Sequence, residues 1–338
     1  MSKSVHPDIY FSFFMFTVDL KPGDSEYAKV IVRHMKELRD QGYTGFDVPI
    51  APGGLDHTSE VENYKRLRQA LDDGGLGDLA ITTNVGATRT FDPSSMYREQ
   101  RELGLAYLKS RVDITKALRG HIMAGPVVLP YGVFPTTDFG QPIWSDALHE
   151  WLEPRYRNAQ PVIEELAEYA ETQDVKVAIE PVDHWETPAA NVVKDVTDFL
   201  EYVPNPQVGV CIDSAHVVLG SEGPAVFTNQ VERILAAGRL HSVHVSSPDR
   251  GAVHDSWIPW RPFLTPILEG YAGPLLIEVF NGIPVFLNPL RITRKKFWIP
   301  GEDTPVPGQP DAYTIAKDAI ATLCGEIDAL ARSMQAAS

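Results

Sequence analysis

The sequence predicts a (β/α)8 TIM barrel. Three observations lead there: eight short apolar runs, longer helix-like stretches between them, and no Gly-rich turn after the first run. The last point disfavours an open doubly wound sheet, whose first turn is normally rich in glycine. The apolar runs are nearly continuous rather than alternating, as parallel strands covered on both faces require. Length alone would suggest about two domains, but a barrel can occupy 338 residues as one. The expectation is therefore a single domain over residues 1–338, with 281–310 as an insertion and 311–338 as a C-terminal helix.

The strands follow in order. Asp8–Phe16, "DIYFSFFMF", is the first, and Gly45–Ile50 and Leu79–Asn84 are the second and third. His121–Val127 and Val175–Glu180 make the fourth and fifth; Val208–Asp213, Leu240–Ser246 and Pro274–Phe280 complete the set. Between them, "SEYAKVIVRHMKELRDQ" has a Ser at its start and a glycine after its end, the signals of a capped helix. Further helices are expected over "SSMYREQRELGLAYLKSRVDITKALRG", "EPRYRNAQPVIEELAEYAETQ", "AANVVKDVTDFLEY", "QVERILAAG" and "RPFLTPILEGYAG". Two stretches break the alternation. Tyr131–Trp144 is rich in aromatics, Gly and Pro and reads as a long loop at the catalytic rim. Asn281–Pro310 carries Arg291, Arg294, Lys295 and Lys296 and reads as a lid, a partner-binding segment or an elaborated loop.

Composition narrows the function. Thirty Lys and Arg against 45 Asp and Glu give a formal net charge of −15, which argues against nucleic acid or an anionic membrane surface as a partner. No apolar run reaches the ~20 residues of a membrane span. "IYFSFFMFTV" resembles a signal-peptide core, but His6, Pro7 and Asp8 precede it and no small-residue cleavage site follows. Cys211 and Cys324 imply no disulfide framework, which suits a cytoplasmic location.

In a barrel, the C-terminal ends of the strands face the active site. Strand five ends in Glu180, strand six in Asp213, strand seven carries His241 and His244, and strand eight contains Glu278. Taken singly, each is best explained as a cap, an ion-pair partner or a hydrogen-bonded core residue. Together, on four consecutive strands, three carboxylates would repel one another unless a cation joined them. Glu180, Asp213, His244 and Glu278 form an oxygen-rich set with one nitrogen, suited to one divalent cation, Mn²⁺ first and Mg²⁺ or Co²⁺ next.

At this point "AIEPVDHWE", "CIDSAHV", "VHVSSPDR" and "LLIEVF" resemble the metal-site motifs of the xylose isomerase-like barrels, in particular the ketose 3-epimerases acting on D-tagatose and D-psicose. Several offsets match at once. Glu186 stands six residues after Glu180, His216 three after Asp213, and Arg250 six after His244. The resemblance implies that Glu180 and Glu278 flank the reacting carbon as base and acid, and that Glu186, His216 and Arg250 hydrogen-bond substrate oxygens. His241 is then structural. The implied chemistry is removal of a proton beside a carbonyl to give an enediolate.

The chain departs from that pattern after Arg250. The family's Pro-Gly-x-Gly turn is replaced by "GAVHDSW" before Ile258, Pro259 and Trp260. His254 is either an exposed loop residue or an extra general base or acid. Phe11, Phe13, Phe14, Trp144, Trp185 and Trp257 taken singly are best explained as core or rim packing; taken together they read as the lining of a wide mouth, with Trp144 against the substrate. With the 281–310 insertion, these features resemble the larger subunit of C-glycoside deglycosidases. That resemblance implies β-elimination from 3-oxo-glycosides and a hetero-oligomer with a smaller β-subunit. The alternatives are a ketose 3-epimerase and a non-catalytic sugar-binding barrel. An apurinic-site endonuclease would need histidines that strands two and three lack, and a phosphosugar enzyme would need a glycine-rich cradle after strands seven and eight.

Overall fold

The computed structural model describes residues 6–143, 145–220, 222–280 and 297–337. Eight parallel strands pair in chain order, and the last pairs with the first to close a (β/α)8 barrel. They are β1 (Ile9–Ser12), β2 (Gly45–Pro49), β3 (Ala80–Asn84), β4 (Ile122–Gly125), β5 (Lys176–Ile179), β6 (Val208–Asp213), β7 (Leu240–Ser246) and β8 (Leu275–Glu278). The expected first strand is cut short at Ser12. Its hydroxyl accepts the Phe14 N–H and turns the chain into a 3-10 helix, which sends Phe13 and Met15 into the core.

Among the described residues the α-helices are α1 (Ser25–Asp40), α2 (His57–Asp73), α3 (Arg98–Ala117), α4 (Ala147–Gln173), α5 (Val193–Phe199), α6 (Ser214–Gly220), α7 (Pro224–Ala236), α8 (Trp260–Leu268) and α9 (Ala312–Ala337). Asp24, not Ser25, caps α1: its carboxylate accepts the N–H groups of Glu26 and Tyr27. Two helices were not anticipated. In α2 only Tyr64, Leu67 and Leu71 supply a buried apolar stripe, diluted by charged neighbours, and the buried Arg68 bonds Asp72 on the same helix. In α6 the chain turns straight from strand into helix, too briefly to show a period. The buried faces form one continuous apolar layer between the strands and the helices.

The 297–310 segment is tied to the barrel wall. Glu302 Oε1 and Tyr313 Oη lie 2.6 and 2.7 Å from the two ring nitrogens of the buried His34, which stacks on Phe16. The basic cluster Arg291, Arg294, Lys295 and Lys296 lies outside the described residues, as does Trp144.

Strand parity sorts the histidines of β7. His244 points into the barrel, whereas the His241 ring faces outward, with Nε2 3.0 Å from the Pro206 carbonyl. Burial, with Lys176 nearby, depresses its pKa to about 4. The native state therefore holds His241 neutral where the unfolded chain, near 6.5, takes up a proton. Its contribution is fully present above pH 6.5 and is lost as pH falls towards 4, on the order of 3 kcal/mol in total. In His241→Gln, stability measured by urea unfolding should fall less steeply between pH 6.5 and 4. An unchanged slope would refute this origin.

Candidate active site

Register sets the site. Asp213 on β6 lies beside His244 on β7, and Ser246 on β7 beside Glu278 on β8. Glu180 follows β5, its N–H bonded to the Gly125 carbonyl. Gly125 has φ +128°, and a side chain there would strike the Val85 carbonyl. β4 thus ends without a side chain.

Donor atoms of Glu180, Asp213, His244 and Glu278 all lie within 4.8 Å of one another, and all four residues are buried. His244 Nδ1 is 3.4 Å from Glu180 Oε1 and 3.3 Å from Glu278 Oε1, aligned for a hydrogen bond with neither. Both ring nitrogens of His244 and Glu278 Oε1 lack hydrogen-bond partners. Buried polar atoms are rarely left so, and this convergence of orphaned oxygen and nitrogen donors fits a divalent cation.

The electrostatics carry the same tension. Burial, reinforced by Glu180 and Asp213 and opposed by His244, pushes Glu278 up to about 7. Burial opposes a charge on His244, yet its pKa is raised well above the ordinary value. The neighbouring Cys211 thiol is itself pushed up to about 12 by burial and is uncharged at neutral pH, so Glu278 and Glu180 must sustain that rise. For Asp213 burial works upward, but Arg250, His244 and the Ser246 hydroxyl together hold the carboxyl well below its usual value. Asp213 is also the most thoroughly bonded of the four. Oδ1 accepts the Ala215 N–H at 2.6 Å, and the Ser246 hydroxyl lies 2.7 and 2.8 Å from its two oxygens.

Glu186, His216 and Arg250 close one side of the pocket. Arg250 has φ +59°, a conformation that costs a non-glycine residue about 1 kcal/mol or more. It holds the guanidinium 4.7 Å over the Phe280 ring, Nη1 3.0 Å from Ser246 Oγ and Nη2 2.8 Å from His216 Nε2. Burial and Arg250 oppose a proton on His216, but Asp213, Asp183 and Glu186 raise its pKa to about 9. A pKa there would leave the ring charged at neutral pH, which the Arg250 contact rules out. At 2.8 Å an Arg250 N–H can be donated only to an unprotonated Nε2, which requires the neutral ring.

These residues border a cavity of about 360 Å³, within the range of small-molecule sites. Glu180, Glu186, His216, Arg250 and Glu278 face Phe14, Val18, Ile50, Pro52, Val182 and Phe280. Tyr131 completes the lining, with Oη 3.2 Å from Glu186 Oε1. Neither Tyr131 nor the buried Asp183 stood out in the sequence. The aromatic loop and the "EPVDHWE" motif held the only signals of them.

Of the two readings of His254, the exposed loop residue is the one that fits. His254 sits on a 3-10 turn packed against α9, with Nε2 3.9 Å from Asp318 Oδ2, and does not border the cavity. The turn faces the C-terminal helix, so the ring is directed away from the reacting groups. Phe11 and Phe13 are fully buried in the core, and Trp257 is 89% exposed. Of the aromatics expected at the mouth, Phe14 lines the cavity; Trp185 is partly exposed and does not.

Ser246→Ala would remove the hydroxyl that Asp213 and Arg250 share. The loss should cost about 1–3 kcal/mol in urea unfolding; unchanged stability would show that these groups find other partners.

The comparisons with known proteins agree with this architecture. A family model described as a xylose isomerase-like TIM barrel matches residues 35–297. The L-ribulose 3-epimerase of Methylomonas sp. (strain DH-1) is 25% identical over 224 residues, 66% of this chain and 70% of that one. The ketose 3-epimerase of Arthrobacter globiformis is 24% identical over 263 residues, 76% and 79% of the two chains. A crystal structure from Anabaena variabilis ATCC 29413, provisionally described as a sugar phosphate isomerase/epimerase, is 56% identical with a TM-score of 0.93, covering 96% of this chain and 99% of that one. The chain belongs to the xylose isomerase-like TIM-barrel family, and its relatives are sugar epimerases and isomerases.

Proposed function

We propose that this protein is a divalent-metal-dependent ketose 3-epimerase. The observation that carries the reading is the buried convergence of Glu180, Asp213, His244 and Glu278, two of which, Glu180 and Glu278, line a cavity of about 360 Å³. Relatives named ketose 3-epimerases support the same reaction class. A cation held by these four residues would supply Lewis acidity to a carbonyl and its neighbouring hydroxyl. Mn²⁺ suits the donor set best, with Mg²⁺ or Co²⁺ as alternatives.

The chain's own groups do the rest. Glu180 and Glu278 both border the cavity, and an oxygen of each faces His244 Nδ1. Inversion at C3 needs one carboxylate to remove the proton from one face of the carbon and a carboxylic acid to return one to the other face. Glu186, His216 and Arg250 hold sugar oxygens, and the Phe14–Phe280 wall keeps water from the enediolate. A phosphosugar is disfavoured. Arg250 is the only Arg or Lys among the described lining residues, and it already faces Glu186 and Asp213 at 3.6 and 3.5 Å.

The apolar wall favours a second reading: β-elimination of an aglycone from a 3-oxo-glycoside, the lyase activity of a C-glycoside deglycosidase. It starts from the same proton abstraction. Its other supports do not assist it here, because His254 lies off the cavity and residues 281–296 are outside those described.

Chelator-treated protein should gain on the order of 5 °C in Tm with Mn²⁺ at a hundred times its Kd. Asp213→Ala should lose both the shift and the metal; stoichiometric metal retained in that variant would refute the ligand set. Purified protein with Mn²⁺ should invert C3 of a free ketohexose in D₂O and place deuterium there, with kcat lowered at least about a thousandfold in Glu180→Gln. Release of free aglycone from a 3-oxo-C-glycoside, with no ketose turnover, would select the elimination instead.

A further inference from the structure

Beside the four-residue group lies a second cluster, Asp183, Glu186 and His216, whose donor atoms also fall within 4.8 Å of one another. The spacing would suit another cation, but Arg250 already occupies this side. Its Nη2 is 2.8 Å from His216 Nε2 and 3.6 Å from Glu186 Oε1. A fixed guanidinium at that distance repels a metal ion.

Asp183 then needs another explanation. It is 2% exposed, and neither carboxylate oxygen has a hydrogen-bond partner. A buried carboxylate in that condition is costly. Its Oδ1 faces His216 Nδ1 at 3.1 Å, a nitrogen that is itself unsatisfied. The approach is short enough for a hydrogen bond and lacks only alignment. On the opposite edge of the ring, Nε2 receives Arg250 and must be bare to do so. A neutral imidazole with Nε2 bare carries its proton on Nδ1, the atom that faces Asp183.

We propose that Asp183 is a positioning residue that fixes His216 as the Nδ1–H tautomer, so that Nε2 offers a lone pair to the pocket. In the free protein that lone pair accepts from Arg250. In the complex it accepts a sugar hydroxyl proton, while Arg250 donates to the oxygen of the same group. The subsite thereby selects a hydroxyl, which can donate and accept at once, over an oxo group, which can only accept. The consequence for turnover rests on the epimerase reading; the tautomer does not.

The test uses the full chain with Mg²⁺, which is diamagnetic, and ¹⁵N-labelled histidine, with His216→Gln to assign the signal. Wild-type His216 should show a protonated Nδ1 and a bare Nε2. Asp183→Leu removes the acceptor facing Nδ1 without supplying another, and should let the ring populate the Nε2–H tautomer. It should also lower kcat/KM for the ketose about 10–100-fold, with one metal per chain retained. A wild-type ring protonated on Nε2 or on both nitrogens would overturn the proposal, as would an Asp183→Leu spectrum or kcat/KM matching wild type. Two metals per wild-type chain, reduced to one in Asp183→Leu, would make the cluster a second metal site instead. If the wild-type protein leaves ketoses unchanged, the epimerase reading fails, and the ¹⁵N spectra alone decide the role of Asp183.

Discussion

Three carboxylates and an imidazole are held together at the ends of neighbouring strands, all four almost wholly buried. Much of the surrounding structure answers that electrostatic problem. Asp213 is bonded by the Ala215 N–H and the Ser246 hydroxyl, and Arg250 balances Asp213 and Glu186. What those contacts leave unsatisfied, on His244 and Glu278, is the capacity a divalent cation would fill. The barrel makes the convergence possible, because strand register fixes which side chains meet. Asp213 lies beside His244 and Ser246 beside Glu278 through backbone pairing.

Because pairing is a backbone property, much of this could be read in the sequence. Eight continuous apolar runs separated by helical stretches give a parallel sheet, and closure follows from their number. The last residues of strands five to eight then fall on one rim, so Glu180, Asp213, His244 and Glu278 could be picked out without knowing the packing. Glu186, His216 and Arg250 came from the offsets of the motifs they share with the ketose 3-epimerases.

What failed depended on where loops fold. His254 marks a departure from the family's pattern, but a departure in sequence carries no direction in space, and its turn leans on α9. Phe11 and Phe13 look like mouth aromatics in a long strand; the Ser12 cap ends that strand early and sends Phe13 into the core. Asp183 and Tyr131 were hidden for the opposite reason. Their place beside His216 and Glu186 arises when the loops after β5 and β4 meet, and no local period records that.

The cavity is also divided along the chain. Its charged lining comes from the loops and strand ends of β5 to β8, while β1 to β4 contribute most of the uncharged wall, including Phe14, Val18, Ile50 and Pro52, which Val182 and Phe280 complete from the other half. Reactive groups and most of the fitting surface are therefore encoded in separate halves of the polypeptide. Changes at these positions of the first half can reshape which molecule fits without removing a charged group of the second. A single ancestral reaction could thus diversify across substrates largely by drift in the N-terminal half.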